Sequence, residues 1–515
     1  MRNSTLGLGV WLATALPLAA QEGGQPLSVI DWLSESVSSP AGANVVILDE
    51  PPVTDPGGAL PEPVATAALD APAPDAVGLI APEVSGLPRD LWGAGLTMEI
   101  AARLTADQAG DLPALRQLFL TILLAEVAAP ADAGGRGDLL RVRIDKLLAL
   151  GALEQAAALI AAAGTTTPEM FRRAFDVALL TGDEDRACQA MAANPALAPT
   201  VPAKIFCLAR SGGWETAALT LHTSEALGEI SADQAALLGR FLDPDLFEGA
   251  PVPPAPTPVT PLDWRIYEAV GEPLGTDGLP VAFSYAEIGP RAGWKAQIEA
   301  AERLTRAGTI PPNVILGLYT EREAAASGGV WDRVDAFQNF EAALATGDPD
   351  QIAQDLTVVW ALMQEVELEV PFAVLFGKSL IEVPLTGSAA EIAFHIGLLS
   401  PHSDRAARQH RAQNPTEAFL VGLATGELAG LVPPDSLGRA VAQAFLAPAP
   451  SAEAQALFDA NRKGEAILIA IDNIGRGVQG DLRGVTEGLS LLRLVGLDGH
   501  ARRTALELML LERRG

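Results

Sequence analysis

Apolar side chains recur every three or four positions along most of the chain after residue 86. In the stretch that begins at Trp294, for example, they fall at Ile298, Ala301 and Leu304. This spacing places the apolar side chains on one face of an α-helix and leaves the opposite face polar. The pattern therefore predicts a long series of amphipathic helices.

Glycine marks the joints between the predicted helices, because it readily adopts the left-handed conformation that often ends a helix. Three of these joints, in RSGGWETAAL, RAGWKAQIEA and SGGVWDRVDA, also carry a tryptophan at the start of the next helix. We interpret both residue types as structural, and a ligand-binding role for Trp331 is the alternative. The joint residues are Gly213, Trp214, Gly293, Trp294, Gly329 and Trp331.

Repeated helix–turn–helix units favour an all-α fold, an irregular α-solenoid in which each unit packs on its neighbours. The joints resemble those of the tetratricopeptide repeat, in which a Gly, an aromatic residue and then an Ala three positions later open the second helix. Trp214 with Ala217 matches that pattern, whereas Gln297 and Val334 replace the Ala at the other two joints. Composition agrees, since Ala and Leu favour helices and only 5% of the residues are aromatic.

The N-terminal segment 1–20 has the layout of a secretory signal, with Arg2, an apolar run to Leu18 and small residues at Ala19 and Ala20. The apolar run is too short to cross a bilayer comfortably. We expect cleavage after Ala20 and a periplasmic or secreted protein without an integral membrane span. An uncleaved N-terminal anchor is the alternative.

The segment 21–86 is rich in Pro and Ala, and no Lys or Arg balances its Asp and Glu residues. Such a composition is typical of an acidic, disordered segment. Two helical repeat regions are predicted to follow, at 87–248 and 262–515. The Pro-rich stretch 249–261 between them has the composition of a stiff linker.

An apolar island, PLSVIDWLSESV, interrupts the acidic segment, and its Ile30, Trp32, Leu33 and Val37 could form one apolar helical face. A short apolar motif in a disordered tail is often a docking peptide. The motif is predicted either to bind a partner or to fold back on its own body, and the sequence favours neither.

The two cysteines, Cys188 and Cys207, fall in neighbouring predicted helices, with prolines between them. In an oxidising compartment a lone pair of this kind is expected to form a disulfide. Two buried free thiols are the alternative.

The chain carries 35 basic and 64 acidic residues, a net charge of −29, which argues against nucleic acid or anionic lipid as a partner. Its cofactor motifs are incomplete. GRGVQG, which begins at Gly475, lacks a βαβ context, so we expect an interhelical loop there. FGKSL, which begins at Phe376, lacks the first glycine of a P-loop. The five histidines have no zinc-binding spacing. We therefore expect no cofactor and no metal.

Six stretches stand out beyond the periodicity: IDWLSESV, GLPRDLW, FLDPDLFEG, TPLDWRIYEAVGEP, AGWKAQIEAAERL and ASGGVWDRV. Together they resemble a bacterial family of exported, Ala- and Leu-rich helical proteins, some of which are labelled antifreeze glycopeptide polyproteins. That label describes long Ala-Ala-Thr repeats, and this chain contains none. The resemblance covers most of the chain after the signal segment and implies an exported helical protein, with no activity to carry over.

These features favour a periplasmic scaffold or adaptor that binds another envelope protein and performs no catalysis, since solenoids often act through binding alone. An enzyme acting on cell-wall or capsular polysaccharide is the alternative. A structural envelope protein without a specific ligand is the third possibility. No motif identifies the partner or an oligomeric state.

Thiol labelling of the denatured, unreduced protein should detect no free cysteine. In the chain-entropy model, a disulfide that closes a loop of this size stabilises the fold by roughly 3 kcal/mol. Mass spectrometry of protein purified from an oxidising compartment measures the labelling, with a reduced sample as the control. Two labelled cysteines in the unreduced sample would exclude the disulfide.

Overall fold

A computed structural model describes residues 73–106, 112–164 and 167–511. Within these ranges the chain is all-helical, and its one extended pairing is an isolated bridge between Ile80 and Ala125. The predicted all-α fold class is therefore confirmed. The predicted signal segment and the apolar motif from Ile30 to Val37 lie outside the described residues.

The described residues form twenty-five α-helices, of which α1 and α12 are single turns. Four short 3₁₀ helices lie between them, at Pro74–Ala76, Pro195–Leu197, Asp245–Phe247 and Val281–Ser284. The α-helices are α1 Pro82–Ser85, α2 Thr97–Thr105, α3 Pro113–Leu124, α4 Asp138–Ala149, α5 Leu153–Ala163, α6 Pro168–Thr181, α7 Glu184–Ala193, α8 Val201–Arg210, α9 Trp214–Ala226, α10 Ala232–Leu242, α11 Pro261–Ala269, α12 Tyr285–Ile288, α13 Trp294–Ala307, α14 Pro312–Tyr319, α15 Val330–Thr346, α16 Pro349–Glu365, α17 Glu369–Leu380, α18 Gly387–Leu399, α19 Ser403–Gln409, α20 Pro415–Thr425, α21 Ser436–Leu446, α22 Ala452–Asp459, α23 Lys463–Val478, α24 Leu482–Leu494 and α25 Asp498–Leu510.

The three Gly–Trp joints each start a helix. Gly213, Gly293 and Gly329 precede the first residues of α9, α13 and α15. Trp294 is buried, its indole N–H donates to the carbonyl of Leu318 at 3.0 Å, and its ring lies 5.2 Å from that of Trp331. The two tryptophans therefore hold the start of α13 against the start of α15. Trp214, by contrast, is 49% exposed and packs on Phe241 from one side.

The buried side chains divide into two clusters that share helix α6. Met170 and Val177 belong to the larger core, whereas Phe171, Phe175 and Leu179 belong to the smaller one. The smaller core also contains buried residues of α7 to α11. The larger core contains the first helices, Trp264 of α11 and buried residues of the helices from α12 onward. Since α6 buries two faces, it joins the two cores into one body.

These cores do not divide at the predicted linker. The expected first region, 87–248, contributes its first half to the larger core and its second half to the smaller core. The stretch 249–261 lies against the smaller core, where the Tyr267 hydroxyl donates to the carbonyl of Pro253 at 2.7 Å. The linker was predicted from proline content, which reports the local backbone but not the contacts that the backbone makes.

Helices near the beginning of the described chain contact helices near its end. Helices α2 and α3 pack against α23, and α3 also packs against α25. The backbone N–H of Gly464 donates to the carbonyl of Leu91 at 2.7 Å, and Trp92 is fully buried at this contact. In a solenoid each repeat contacts only its neighbours. The helices therefore close on themselves here, and the linear arrangement of a solenoid stays a prediction.

A buried arginine holds residues 75–80 against the helical body. The Arg143 guanidinium donates to four backbone carbonyls, those of Leu123 and Val77 at 2.7 Å, Ala125 at 3.0 Å and Asp75 at 3.3 Å. Burial lowers the pKa of Arg143 to about 10, while the charge of Asp75 opposes the shift. Residues 73–86, which we assigned to the acidic disordered segment, are thus packed in the structure.

Cys188 on α7 and Cys207 on α8 form a disulfide, with Cα atoms 5.0 Å apart. The structure therefore contains the pairing that the sequence predicts. Both residues are buried in the smaller core. Across the described ranges, none of the helices combines the length and the apolar character that crossing a membrane requires.

Gly464→Ala should destabilise the protein, because the added Cβ would lie 2.6 Å from two ring carbons of Trp92. We expect the free energy of unfolding to fall by roughly 1–3 kcal/mol, the usual cost of overpacking a core. Chemical denaturation followed by circular dichroism measures it.

Gly499→Ala is the matched control, since Gly499 is also the second residue of its helix and nothing lies within 4 Å of an added Cβ there. Alanine favours helices over glycine, so this variant should be neutral or more stable by up to about 1 kcal/mol. Equal stability of the two variants would mean that Trp92 can move away, and that the closure tolerates a larger residue.

Candidate functional site

An apolar cleft of about 500 Å³ lies where the two ends of the described chain meet its middle. Its walls come from α3, α5, α13, α14, α17 and α25 and from the turns around residues 309 and 367. The apolar surface is provided mainly by Leu120, Leu124, Ile310, Val370, Val374 and Leu399. Only the closure of the fold brings these segments together.

Three arginines line this cleft, namely Arg116, Arg306 and Arg503, together with two glutamates, Glu367 and Glu507. The local balance is therefore positive, although the whole chain has a net charge of −29. Arg116 donates to the carbonyl of Arg306 at 2.5 Å, and Arg306 donates through Nε to the carbonyl of Val366 at 2.9 Å. These bonds to backbone carbonyls fix the positions of two guanidinium groups in the cleft wall.

The buried carboxylate of Glu507 has a structural contact in the cleft wall. Its Oε2 accepts a hydrogen bond from the backbone N–H of Ala114 at 2.8 Å, at the start of α3. The residue before α3, Leu112, has no side chain that can cap the helix. Because the N-terminal N–H groups of a helix lack partners within the helix, an acidic side chain stabilises them. Glu507 therefore ties α25 to α3.

Among the described residues of the cleft wall, Oγ1 of Thr305 and Oε1 of Gln155 are buried without a hydrogen-bond partner. Thr305 is only 4% exposed. The amide of Gln155 is held in place, because its Nε2 donates to the carbonyl of Thr309 at 3.0 Å. A buried polar atom without a partner costs roughly 1–3 kcal/mol. A ligand that offers a donor to the Gln155 oxygen and either a donor or an acceptor to the Thr305 hydroxyl would recover this energy.

The turn that carries Glu367 has an unusual backbone. Glu367 has a φ of 56°, a left-handed conformation that costs a non-glycine residue roughly 1–2 kcal/mol. The hydrogen bond from Leu368 N–H to the Met363 carbonyl, at 2.9 Å, and the bond from Arg306 to Val366 hold the turn in place. Glu367 thereby lines the cleft from a turn whose Val366 carbonyl accepts the hydrogen bond from Arg306.

A second, wider depression of about 830 Å³ lies among α5, α6 and α7. Alanines form much of its surface, and Glu154, Asp183 and Arg186 line it as well. None of the described residues that line it has a buried polar atom without a partner. It therefore offers surface area to a ligand, but its described lining residues provide no unpartnered polar atom for the ligand to bond. The cleft is the better candidate site.

Gly480 of GRGVQG lies in the turn between α23 and α24, as expected for an interhelical loop, but Gly475 and Gly477 lie inside α23, which continues through Val478. The role of Gly477 is close packing of helices. A Cβ at Gly477 would lie 2.3 Å from Val485 on α24, and one at Gly488 would lie 2.5 Å from Ile474 on α23. Small residues on both helices thus let α23 and α24 approach closely. FGKSL likewise lies inside α17.

Two of the five histidines, His395 on α18 and His410, lie near the carboxylate of Glu417. The ring of His410 stacks on Phe394 at 3.6 Å, and its Nε2 lies 2.7 Å from Oε2 of Glu417. Burial raises the pKa of Glu417, but the hydrogen bonds from His410 and from the backbone N–H of Gln413 lower it more, so it lies below its usual value. Burial lowers the pKa of His395, although the charges of Glu391 and Glu417 partly oppose this.

Sequence reasoning did not identify the cleft. Its arginines and unpartnered polar atoms lie on segments almost 400 residues apart, and no short motif connects them. The sequence does contain a signal for the cleft, an excess of Arg over Lys on otherwise apolar helix faces. This excess can be interpreted only when the contacts between the helices are known. The apolar motif from Ile30 to Val37 lies outside the described residues, and the tryptophan joints are not part of the cleft.

Comparison with known proteins finds no family model, no curated protein and no solved structure that matches this chain.

Replacing His395 with Gln should weaken the loss of stability between pH 6.5 and pH 5. Because the folded-state pKa of His395 lies below its unfolded value of about 6.5, the unfolded chain binds more protons in this window. The stability that His395 contributes to the folded state is thus fully present above its unfolded pKa. It decreases as the pH falls toward the folded pKa. The effect of Glu417 begins at lower pH, since its pKa is that of a carboxyl group.

Urea denaturation at several pH values measures this effect as the slope of unfolding free energy against pH. Adding His500→Gln should reduce the slope further, because burial and the charge of Arg503 lower the pKa of His500 as well. If the curves of unfolding free energy against pH are parallel for the wild type and both variants, the pH dependence does not come from these two histidines.

Proposed function

We propose that this protein is a non-catalytic scaffold or adaptor of the bacterial cell envelope, and that it binds another envelope protein in the cleft between α3, α17 and α25. The observation that carries the proposal is the composition of this cleft. It combines a mostly apolar wall with three arginines in a strongly acidic chain. Arginine is enriched among the residues that dominate the binding energy of protein interfaces, and the fully buried core of an interface is more apolar than its rim.

The cleft's carboxylates support binding rather than hydrolysis of a polymer. Hydrolysis of a glycosidic bond needs two carboxyl groups that face the same bond, one of them as a general acid. Here Glu507 is engaged with the backbone of α3. Glu367 lines the cleft from a separate turn, before α17. A polysaccharide would also leave most of the apolar wall without a complementary surface.

The chemistry of the cleft specifies the partner's contact region. We infer a segment with two or three large apolar side chains that enter between Leu120, Ile310 and Val374. An acidic group beside them would pair with the arginines, which bind carboxylates in a bidentate geometry. A basic segment would place like charges beside the guanidinium groups, which costs binding energy.

Crosslinking in intact cells, followed by purification of a tagged copy and mass spectrometry, should recover one stoichiometric envelope protein. Val374→Asp should reduce its recovery at least about tenfold, because the variant places a charge on the apolar wall of the cleft. Val374 is 44% exposed, so the substitution should not prevent folding.

Val358→Asp is the matched control, because Val358 is 52% exposed on α16 and does not line the cleft. It should leave recovery unchanged. Equal recovery with both variants would place the partner elsewhere on the surface. If no protein is recovered above background, the scaffold proposal fails, and assays of polymer degradation become the next experiment.

A further inference from the structure

We propose that the cleft takes a tryptophan side chain of the partner as its anchor, and that the indole N–H donates to Oε1 of Gln155. The inference rests on the proposed function and deepens it, because it names the group that fills the apolar part of the cleft. Three observations carry it: the orientation of the Gln155 amide, the unpartnered hydroxyl of Thr305, and an arginine that is fixed in the cleft wall.

The oxygen of the Gln155 amide needs a hydrogen-bond donor. The Nε2 of Gln155 donates to the carbonyl of Thr309 at 3.0 Å, and exchanging the two ends of the amide would place its oxygen against that carbonyl oxygen. Oε1 is therefore the end that is left for a ligand, and among the described residues it has no partner. A carboxylate, ether or carbonyl group cannot donate, so the group that binds here carries an N–H or an O–H.

Thr305 adds a second polar atom to the same wall. A threonine hydroxyl inside a helix commonly donates to the carbonyl one turn earlier, as those of Thr121 and Thr181 do in this chain. The hydroxyl of Thr305 is buried and has no such partner among the described residues, and the side chain is only 4% exposed. It can both donate and accept, and the main chain on either side of a bound tryptophan offers both kinds of group.

The charge of the cleft favours a neutral donor. Arg116 and Glu507 already have other partners in the structure and are set aside. Two arginines, Arg306 and Arg503, then oppose one glutamate, Glu367, in the cleft wall. An ammonium or guanidinium group of the partner would be repelled by this excess of positive charge. The donor is therefore an uncharged N–H or O–H.

An indole meets these requirements. It combines the largest apolar ring system of the natural side chains with an N–H that can only donate. A cleft of about 500 Å³ accommodates it together with part of a neighbouring side chain. The bond from Arg306 Nε to the carbonyl of Val366, at 2.9 Å, fixes a guanidinium plane on which an aromatic ring can stack. The phenol of a tyrosine also donates, but its smaller ring leaves more of the apolar wall uncovered.

Ligand-detected nuclear magnetic resonance with the full-length protein tests the proposal. The probes are N-acetyl-tryptophanamide and its benzothiophene analogue, in which sulfur replaces the indole N–H without adding bulk. We expect a dissociation constant of about 1 mM or lower for the first probe. The second should bind about tenfold more weakly, because it leaves Oε1 of Gln155 without a donor.

Gln155→Leu removes the acceptor and should bring the affinities of the two probes within about twofold of each other. Gln155 is half-buried, so the variant should fold, and circular dichroism checks this. Gln351→Leu is the matched control, since Gln351 is exposed on α16, donates to Asp355 at 2.7 Å and does not line the cleft. It should leave the preference for the indole unchanged. Val374→Asp should weaken the binding of both probes, whereas Val358→Asp should not.

Equal affinity of the wild type for the two probes would overturn the proposal, and so would a preference that survives Gln155→Leu. No binding of N-acetyl-tryptophanamide would overturn it as well. Tighter binding of N-acetyl-tyrosinamide than of N-acetyl-tryptophanamide would replace the indole by a phenol and so reject the tryptophan anchor.

This measurement needs no partner, so its failure is distinct from failure of the proposed function. If the probes are not distinguished but Val374→Asp still reduces recovery of an envelope protein, the cleft is a protein interface with a different anchor, and the tryptophan is rejected. If the indole binds through Gln155 but no protein is recovered from cells, the aromatic site stands and the scaffold proposal fails.

Discussion

The rest of the structure depends on the close contact between the first helices and the last ones. Trp92 is fully buried against Gly464, and the Glu507 carboxylate accepts the N–H of Ala114. Removing a buried Trp side chain typically costs about 3–5 kcal/mol. Without this contact α3 and α25 would separate, and the cleft, which has a wall on each of them, would not exist. The same contact brings helices from the two ends of the described chain together.

Buried charges determine which helical turns meet. Arg173 on α6 forms a two-pronged ion pair with Asp145 on α4, at 2.5 and 2.7 Å. Glu302 on α13 similarly accepts two hydrogen bonds from Arg333 on α15 and one from the hydroxyl of Tyr319. Burial and this carboxylate raise the pKa of Tyr319 well above its usual value. Net stabilisation from such pairs is small after desolvation, but a displaced partner leaves a buried charge, so the pairs exclude other helix registers.

The sequence was sufficient for the features that depend on neighbouring residues. Spacing of apolar residues predicted the helices, glycine predicted their joints, and the two cysteines predicted a bond between adjacent helices, because each of these signals acts over a few turns of chain. The division into cores was not predictable in this way. Helix α6 has Phe175 on one face and Val177 on another, and nothing in its sequence states that both faces are covered, or by which helices. Gly475 and Gly477 of GRGVQG were misjudged for the same reason, since a glycine inside a helix looks in the sequence like a glycine that permits a turn.

The polar groups of the cleft are fixed by the fold before any ligand arrives. Arg116, Arg306 and Gln155 each donate a hydrogen bond to a backbone carbonyl, so little ordering of their side chains remains to oppose binding. The walls that carry them come from both ends and from the middle of the described chain, so the shape of the cleft depends on the closing contact of Trp92 with Gly464. Stability of this contact and preorganisation of the cleft are therefore one property of the fold.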